Sequence, residues 1–295
     1  MLARISAITL LLIGLARAIG NPEAAYTIPQ LIAFYGYSCE AYNVTTSDGY
    51  ILSLYRIPTG LYSNASEGAR PVMLLFHGLT VDGSEFLLNP GNASSALYFA
   101  DSGMDVYIAN FRGTPYGLAH MQLSANVRNY AFWDFSLDEF IVLDATAIVD
   151  AVLNISGASS LYLTGHSQVR GFFSWGGISN TKSSTGLTRF VQAGGIISIA
   201  AMEAYALVLG FQFPPVNPAL YAVAAAFFCN GGLQSAVCQA ALGTIMGQSA
   251  VVPQNSRITN IATYAHLDFV FAVDAAALVY APMVATINAD FYGPG

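Results

Sequence analysis

The sequence predicts an α/β fold built on a mostly parallel central sheet. Three observations carry that expectation. Short continuous apolar runs stop abruptly at glycine or polar residues: Val72 to Phe76 after Pro71, Asp105 to Ala109, and Leu161 to Thr164. Strands buried on both faces read this way. Between the last two runs, a stretch from about Ser136 to Leu153 places Phe140, Leu143, Ile148 and Val152 at roughly helical spacing, and strands alternating with helices indicate a parallel sheet. Of the 295 residues, 55% are hydrophobic and 9% charged, enough to fill a large core and too apolar for a disordered chain.

Taken in order, the chain opens on Arg4 and a continuous apolar run from Ile5 to Leu15, followed by the small residues Ala16 and Ala18. That is the pattern of a signal peptide over residues 1–19. The run is shorter than the ~20 residues that span a bilayer, so a transmembrane anchor is not expected. Residues 20–200 form the expected α/β core. Within it, Ile51 to Ile57 has strand character after the turn at Ser47-Asp48-Gly49, and Gly194 to Ile199 reads as a further short strand. Residues 201–257 are rich in Ala, Leu and Phe and are broken by Pro214 and Pro215; with Glu203 and Gln212 they read as buried or lid helices rather than a membrane span. Residues 258–295 complete the core.

The net charge of -7 and the scattered basic residues exclude a nucleic-acid partner, which needs clustered Lys and Arg. Sequons at Asn43, Asn64, Asn92 and Asn154 agree with a secreted glycoprotein. Of the three cysteines, Cys229 and Cys238 are spaced for a local loop disulfide, which would leave Cys39 unpaired; three buried free thiols are the alternative. No paired Cys-x-x-Cys zinc pattern is present, and no metal or organic cofactor is implied.

The chemistry-bearing motif is Gly165-His-Ser167-Gln168, which follows an apolar strand. A serine hydroxyl needs a base to take its proton and N–H donors to receive the oxyanion. A sharp strand-to-helix turn, the nucleophile elbow, exposes the serine beside the free N–H groups of a helix start. The usual Gly-x-Ser-x-Gly pattern keeps its first glycine here, and Val169 replaces the second. His77-Gly78-Leu79, after another apolar strand, is suited to supply a second oxyanion donor, so the backbone N–H groups of Leu79 and Gln168 are the natural pair. An ordinary strand-to-helix turn and a turn with a half-buried His77 are the competing readings of the two motifs.

These segments resemble the acid lipase family, which includes gastric and lysosomal acid lipases and insect relatives. Asn21-Pro-Glu, Tyr35-Gly-Tyr, Thr46-Ser-Asp-Gly-Tyr-Ile-Leu, Arg56-Ile-Pro, Phe76-His-Gly-Leu, Asn110-Phe-Arg-Gly, Phe132-Trp-Asp-Phe-Ser-Leu-Asp-Glu139, Gly165-His-Ser-Gln, His266-Leu-Asp-Phe-Val and Val279-Tyr280 follow in family order. The resemblance implies an α/β-hydrolase fold with a reduced helical cap and hydrolysis of lipid esters such as triacylglycerols or sterol esters. It makes Ser167 the nucleophile, His266 the general base, and Leu79 and Gln168 the oxyanion donors. Cys229 and Cys238 match a disulfide-type pair of the cap. The location it implies is secreted, or the lysosomal or endomembrane lumen, and its implied partner is a lipid ester or lipid interface.

The chain departs from the family in one chemical respect. Triads in this fold run Ser, acid, His along the chain. Between Ser167 and His266 the only acidic residue is Glu203, too early to match the family's aspartate. Asn255-Ser-Arg-Ile joins cap-like sequence directly to the segment before the histidine, as an internal deletion would. Asp268 and Asp274 read as helix-start acids. A missing acid costs about 10⁴ in kcat in the serine-protease case. The sequence therefore reads as a lipase-like serine ester hydrolase of impaired activity, with a non-catalytic homologue, lipid-binding or vestigial, as the alternative.

Overall fold

The computed structural model of the protein describes residues 23, 26–63, 69–78, 81–89, 91–166, 173–175, 270, 272 and 274–293. Among these residues the chain forms a seven-stranded sheet. Its strands are β1 (Glu40–Thr45), β2 (Tyr50–Ile57), β3 (Val72–Phe76), β4 (Asp105–Ile108), β5 (Ala119–His120), β6 (Tyr162–His166) and β7 (Phe173–Trp175). The order across the sheet is β1-β2-β4-β3-β6-β7, with β5 paired to the start of β2. β1, β2 and β4 pair antiparallel, whereas β4, β3, β6 and β7 run parallel. The expected strands from Val72, from Asp105 and from Leu161 are thus β3, β4 and β6. The expected strand at Gly194 to Ile199 and the expected cap, residues 201–257, lie outside the described residues.

β3 is central, and all five of its residues are buried. Successive side chains of a strand point to opposite faces. Met73 and Leu75, with Val106 and Ile108 of β4, join one core. Val72, Leu74 and Phe76, with Tyr107, join the other. Two covered faces require apolar residues at every position, which is why the run is continuous rather than alternating.

The first core is closed by α1 (Ile28–Phe34), α2 (Ser95–Asp101) and a C-terminal helix, α5 (Ala281–Tyr292), which continues from wider π-type turns at Ala276–Tyr280. Thr27 starts α1: its N–H donates to Gln30 Oε1 at 2.8 Å. Tyr280 is fully buried against the rings of Tyr98 and Phe99, and its hydroxyl donates to the Val270 carbonyl at 3.2 Å. Asp274 stands at the start of this helical run, where the Ala277 and Leu278 N–H groups donate to its carbonyl.

The second core is closed by α3 (Tyr130–Trp133) and by one continuous helical stretch: Leu137–Glu139, wide turns at Phe140–Ala145, then α4 (Thr146–Ser156). Ser136 caps it. Its N–H and hydroxyl both donate to Glu139 Oε2, at 2.6 and 2.7 Å, and its Oγ accepts the Asp138 N–H. The Phe-Ser-x-x-Glu part of the sequence block is therefore a helix-start device. Ile148 and Val152 are fully buried, as the helical spacing predicts. The stretch stops at Gly157, whose φ of 70° is the left-handed helix end that favours glycine.

Candidate functional site at the carboxyl ends of the parallel strands

In open α/β sheets, ligands bind beyond the carboxyl ends of the strands. Here β3 ends at Phe76 and β6 at His166, side by side, with Phe76 in register with Gly165. The residues just beyond, His77 and Gly78 on one side and His166 on the other, enter a buried polar network. Its centre is Glu85, 2% exposed, on the 3₁₀ turn Gly83–Leu87. The Gly78 N–H donates to Glu85 Oε1 at 2.9 Å, and His166 Nδ1 lies 3.0 Å from Glu85 Oε2. Where the carboxylate only accepts, the proton of this contact lies on His166 Nδ1.

His77 is buried as deeply. Its Nε2 accepts the Phe111 N–H at 3.1 Å, which requires an unprotonated nitrogen; Nδ1, 2.8 Å from the Gly78 carbonyl, then carries the proton. Both ring nitrogens are used by the neutral form. Burial pushes the imidazole below its ordinary pKa, against the opposing pull of the Gly78 carbonyl. His77 thus ties the end of β3 to the end of β4. The sequence reading left room for a half-buried histidine; the exposure of 2% shows a fully buried one.

Asn110 completes the tie. Its Oδ1 accepts the Gly83 N–H at 2.9 Å, and its Nδ2 donates to the Ser53 carbonyl of β2 at 3.1 Å. The Glu85 turn is therefore hung from the end of β4. Gly83 makes that approach possible: a Cβ there would lie 2.5 Å from Ile108 Cγ2. Asp82 caps the turn, its Oδ1 accepting the Ser84 N–H at 2.9 Å.

The rest of Asn110-Phe-Arg-Gly serves the second core. Phe111 stacks between Phe76 and Phe140, with centroid distances of 5.0 and 5.2 Å. The Arg112 guanidinium is buried. It holds Asp144 through Nε at 2.9 Å and Nη2 at 2.7 Å, reaches Asp48 through Nη1 at 2.6 Å, and lies 3.9 Å from the centroid of the Tyr50 ring. Burial favours the neutral form of Asp144, and this outweighs Arg112, so its carboxyl sits above the ordinary value. Burial acts in the same sense on Asp48, but there Arg112 and the Thr46 hydroxyl prevail and hold the carboxyl below it. Gly113, with φ of 82° and the Phe135 ring 2.9 Å from where a Cβ would sit, closes the motif.

Of the residues singled out from the sequence, Ser167, Gln168, Leu79, His266, Glu203, Asn64, Cys229 and Cys238 lie outside the described residues. Asn43, Asn92 and Asn154 are described, and all three are exposed. Cys39 is half-buried and free; burial, with the charge of Glu40, pushes its thiol up to about 11. Among the described residues no group of three or more His, Cys, Asp or Glu could hold a metal ion. No helix among them is long and apolar enough to cross a membrane. Glu85 was not found from the sequence. The one signal was an acid set between Ser84 and the apolar Phe86-Leu-Leu, a few residues after His77-Gly78.

The strand order, with antiparallel pairs at one edge and a parallel remainder, is that of an α/β-hydrolase fold. In sequence, half of the chain is similar to acid lipases. Residues 28–90 match the family described as the partial alpha/beta-hydrolase lipase region. Lipase lipl-1 of Caenorhabditis elegans is 43% identical over 150 residues, which are 50% of this chain and 36% of that protein. Lipase member K of Homo sapiens is 42% identical over 148 residues, 50% of this chain and 37% of that one. The lysosomal acid lipase/cholesteryl ester hydrolase of Homo sapiens is 39% identical over 148 residues, with the same two shares. The chain thus spans little more than a third of the length of these curated relatives. Among solved structures, the Pyrococcus furiosus esterase Pf2001 is similar at 15% identity and a TM-score of 0.33, covering 48% of this chain and 47% of that one, a likeness too slight to bear on function.

Proposed function

We propose that the protein is a secreted, lipase-like serine ester hydrolase of low turnover that acts on lipid esters such as triacylglycerols or sterol esters. The observation that carries this reading is the pairing of β3 with β6. It brings Gly78, which precedes Leu79, and His166, which precedes Ser167, onto one buried carboxylate.

In this reading His266 takes the Ser167 proton as Oγ bonds to the ester carbonyl carbon. The backbone N–H groups of Leu79 and Gln168 receive the oxyanion. The protonated imidazole then gives its proton to the departing alcohol, and a water activated by His266 releases the fatty acid and regenerates Ser167. Residues 1–19 are a signal peptide, 20–200 the core, 201–257 a partial helical cap with a Cys229–Cys238 disulfide, and 258–295 the segment that returns the histidine. Glycans on Asn43, Asn64, Asn92 and Asn154 fit passage through a secretory lumen, with the secreted or lysosomal space as destination. The exposure of Asn43, Asn92 and Asn154 supports three of them.

The second reading, a non-catalytic homologue that binds lipid or is vestigial, is favoured by two sequence features: Val169 replaces the second glycine of the elbow, and Glu203 is the only acid between Ser167 and His266. Labelling of the folded, full-length protein with a fluorophosphonate separates the two. Labelling abolished by Ser167→Ala supports the hydrolase. An unlabelled folded protein overturns it.

A further inference from the structure

We propose that Glu85 is a positioning residue of this site: its carboxylate fixes the Gly78 backbone against the His166 side chain at the end of the β3–β6 ladder, the two groups that immediately precede the residues read as oxyanion donor and nucleophile. The inference rests on the ester-hydrolase reading above and deepens it.

The geometry argues for a tie. The two carboxylate oxygens divide their work: Oε1 takes the Gly78 N–H at 2.9 Å, and Oε2 takes His166 Nδ1 at 3.0 Å. One rigid planar group therefore holds a loop from one strand and a side chain from the next. A side chain exposed only 2% is an expensive place for a charge, and such a carboxylate persists where donors compensate it. Glu85 is also located independently of the elements it joins. Its own N–H donates to the Asp82 carbonyl at 3.1 Å, Asp82 caps the turn, and Asn110 anchors Gly83 to β4. A post fixed to β4 thus ties the Gly78 backbone to the His166 ring where the β3–β6 ladder ends. Catalysis is sensitive to such positioning: a misplacement of about 1 Å costs roughly 100-fold.

Two variants test this in the full-length protein, Glu85→Gln and Glu85→Leu. In Glu85→Gln the amide oxygen accepts from Gly78 and the amide N–H₂ faces His166, which fits only an imidazole with Nδ1 unprotonated. With only four histidines in the chain, ¹⁵N-histidine spectra resolve that change. The expected result for Glu85→Gln is a folded protein whose His166 Nδ1 signal moves to the unprotonated range. Its Gly78 amide resonance shifts, and kcat on p-nitrophenyl butyrate falls roughly 10-fold with KM within about twofold. Glu85→Leu lowers kcat and the fluorophosphonate labelling rate by about 100-fold. Where Glu85→Leu does not fold, Glu85→Gln decides. Folded Glu85→Gln with unchanged kcat, or with the Gly78 and His166 resonances unmoved, overturns the inference. A wild-type protein that neither labels nor turns over overturns the hydrolase reading instead, and the two resonances alone then judge the tie.

Discussion

The two ends of β4 each carry an arginine held by two carboxylates, and the ends differ in depth. Where the strand begins, Arg56 reaches across β2. It holds Asp105 through Nε at 2.8 Å and Nη2 at 2.9 Å, and Glu40 of β1 at 3.0 Å. The Glu40 side chain is 42% exposed. Just past the other end, the Arg112 and Asp144 side chains are 1% and 0% exposed. The Asp105 side chain is 6% exposed and that of Asp48 34%, so each arginine joins one buried and one surface carboxylate, and the ends differ in the arginine itself, 19% exposed at Arg56 and 1% at Arg112. Only the buried end adjoins Glu85, His77 and His166. Exposed pairs contribute little because water and salt screen them, whereas breaking a buried pair strands a charge. The end whose cation is itself buried is the more tightly held, and in this fold class it is the end where ligands bind.

Substitutions can break this contrast. Arg112→Met should be the most damaging, because it leaves Asp144 buried without its cation; a loss of about 3–5 kcal/mol in urea unfolding is expected. A loss below about 1 kcal/mol would show that the core relaxes around Asp144. Arg56→Met should cost less, about 1.5–3 kcal/mol by the same measurement, because Asp105 keeps the Tyr107 hydroxyl at 3.2 Å. If Arg56→Met proves the costlier of the two, the contrast is reversed. Gly83→Ala forces a methyl against Ile108 and should lower stability by about 1–3 kcal/mol. It should also weaken the Gly83–Asn110 contact, seen as faster amide exchange at Gly83.

Glu40→Gln should have the smallest effect, about 0–1 kcal/mol, reduced further by 1 M NaCl. Its pH dependence has a defined sign. The Tyr42 hydroxyl, then Arg56, hold the folded carboxyl below its ordinary value against the opposing effect of burial. The contribution is therefore present above the unfolded carboxylate pKa and is lost as pH falls through the lower folded value. Wild type and Glu40→Gln should converge in acid. A difference that grows as pH falls would contradict the assignment.

Much of the sheet is legible in the sequence because burial on both faces leaves a distinctive mark. Val72 to Phe76 admits no polar residue, and Phe76 with His77-Gly78 marks where the strand stops. The helix after Ser136 is legible from its period and its cap. α1, with Ile28, Leu31 and Ile32 at helical spacing over only seven residues, is too short a run to stand out, and α2 and the C-terminal helix are apolar with little periodicity. For the candidate site, the motifs are visible but their work is not. In the sequence Asn110-Phe-Arg-Gly marks only where an apolar strand stops; the fold reveals that Asn110 serves Gly83 and Ser53 while Arg112 serves Asp48 and Asp144. Glu85 is the clearest case. Its partners Gly78 and His166 are distant from each other in sequence, and only the parallel pairing of β3 with β6 brings them to one carboxylate.

The wide turns at Phe140–Ala145 make the helix that follows Ser136 longer in sequence than in space. A π-type turn accommodates a residue that an α-helix of the same rise has no place for. Downstream, Ile148 and Val152 pin the helix to the sheet; upstream, Ser136 and Glu139 pin its start. The surplus is taken up between two anchors, at the point where Asp144 turns in to Arg112. The irregularity works as a spacer in the reading frame of the helix, matching a helix start set by local hydrogen bonds to an ion pair set by the distant β1–β2 turn.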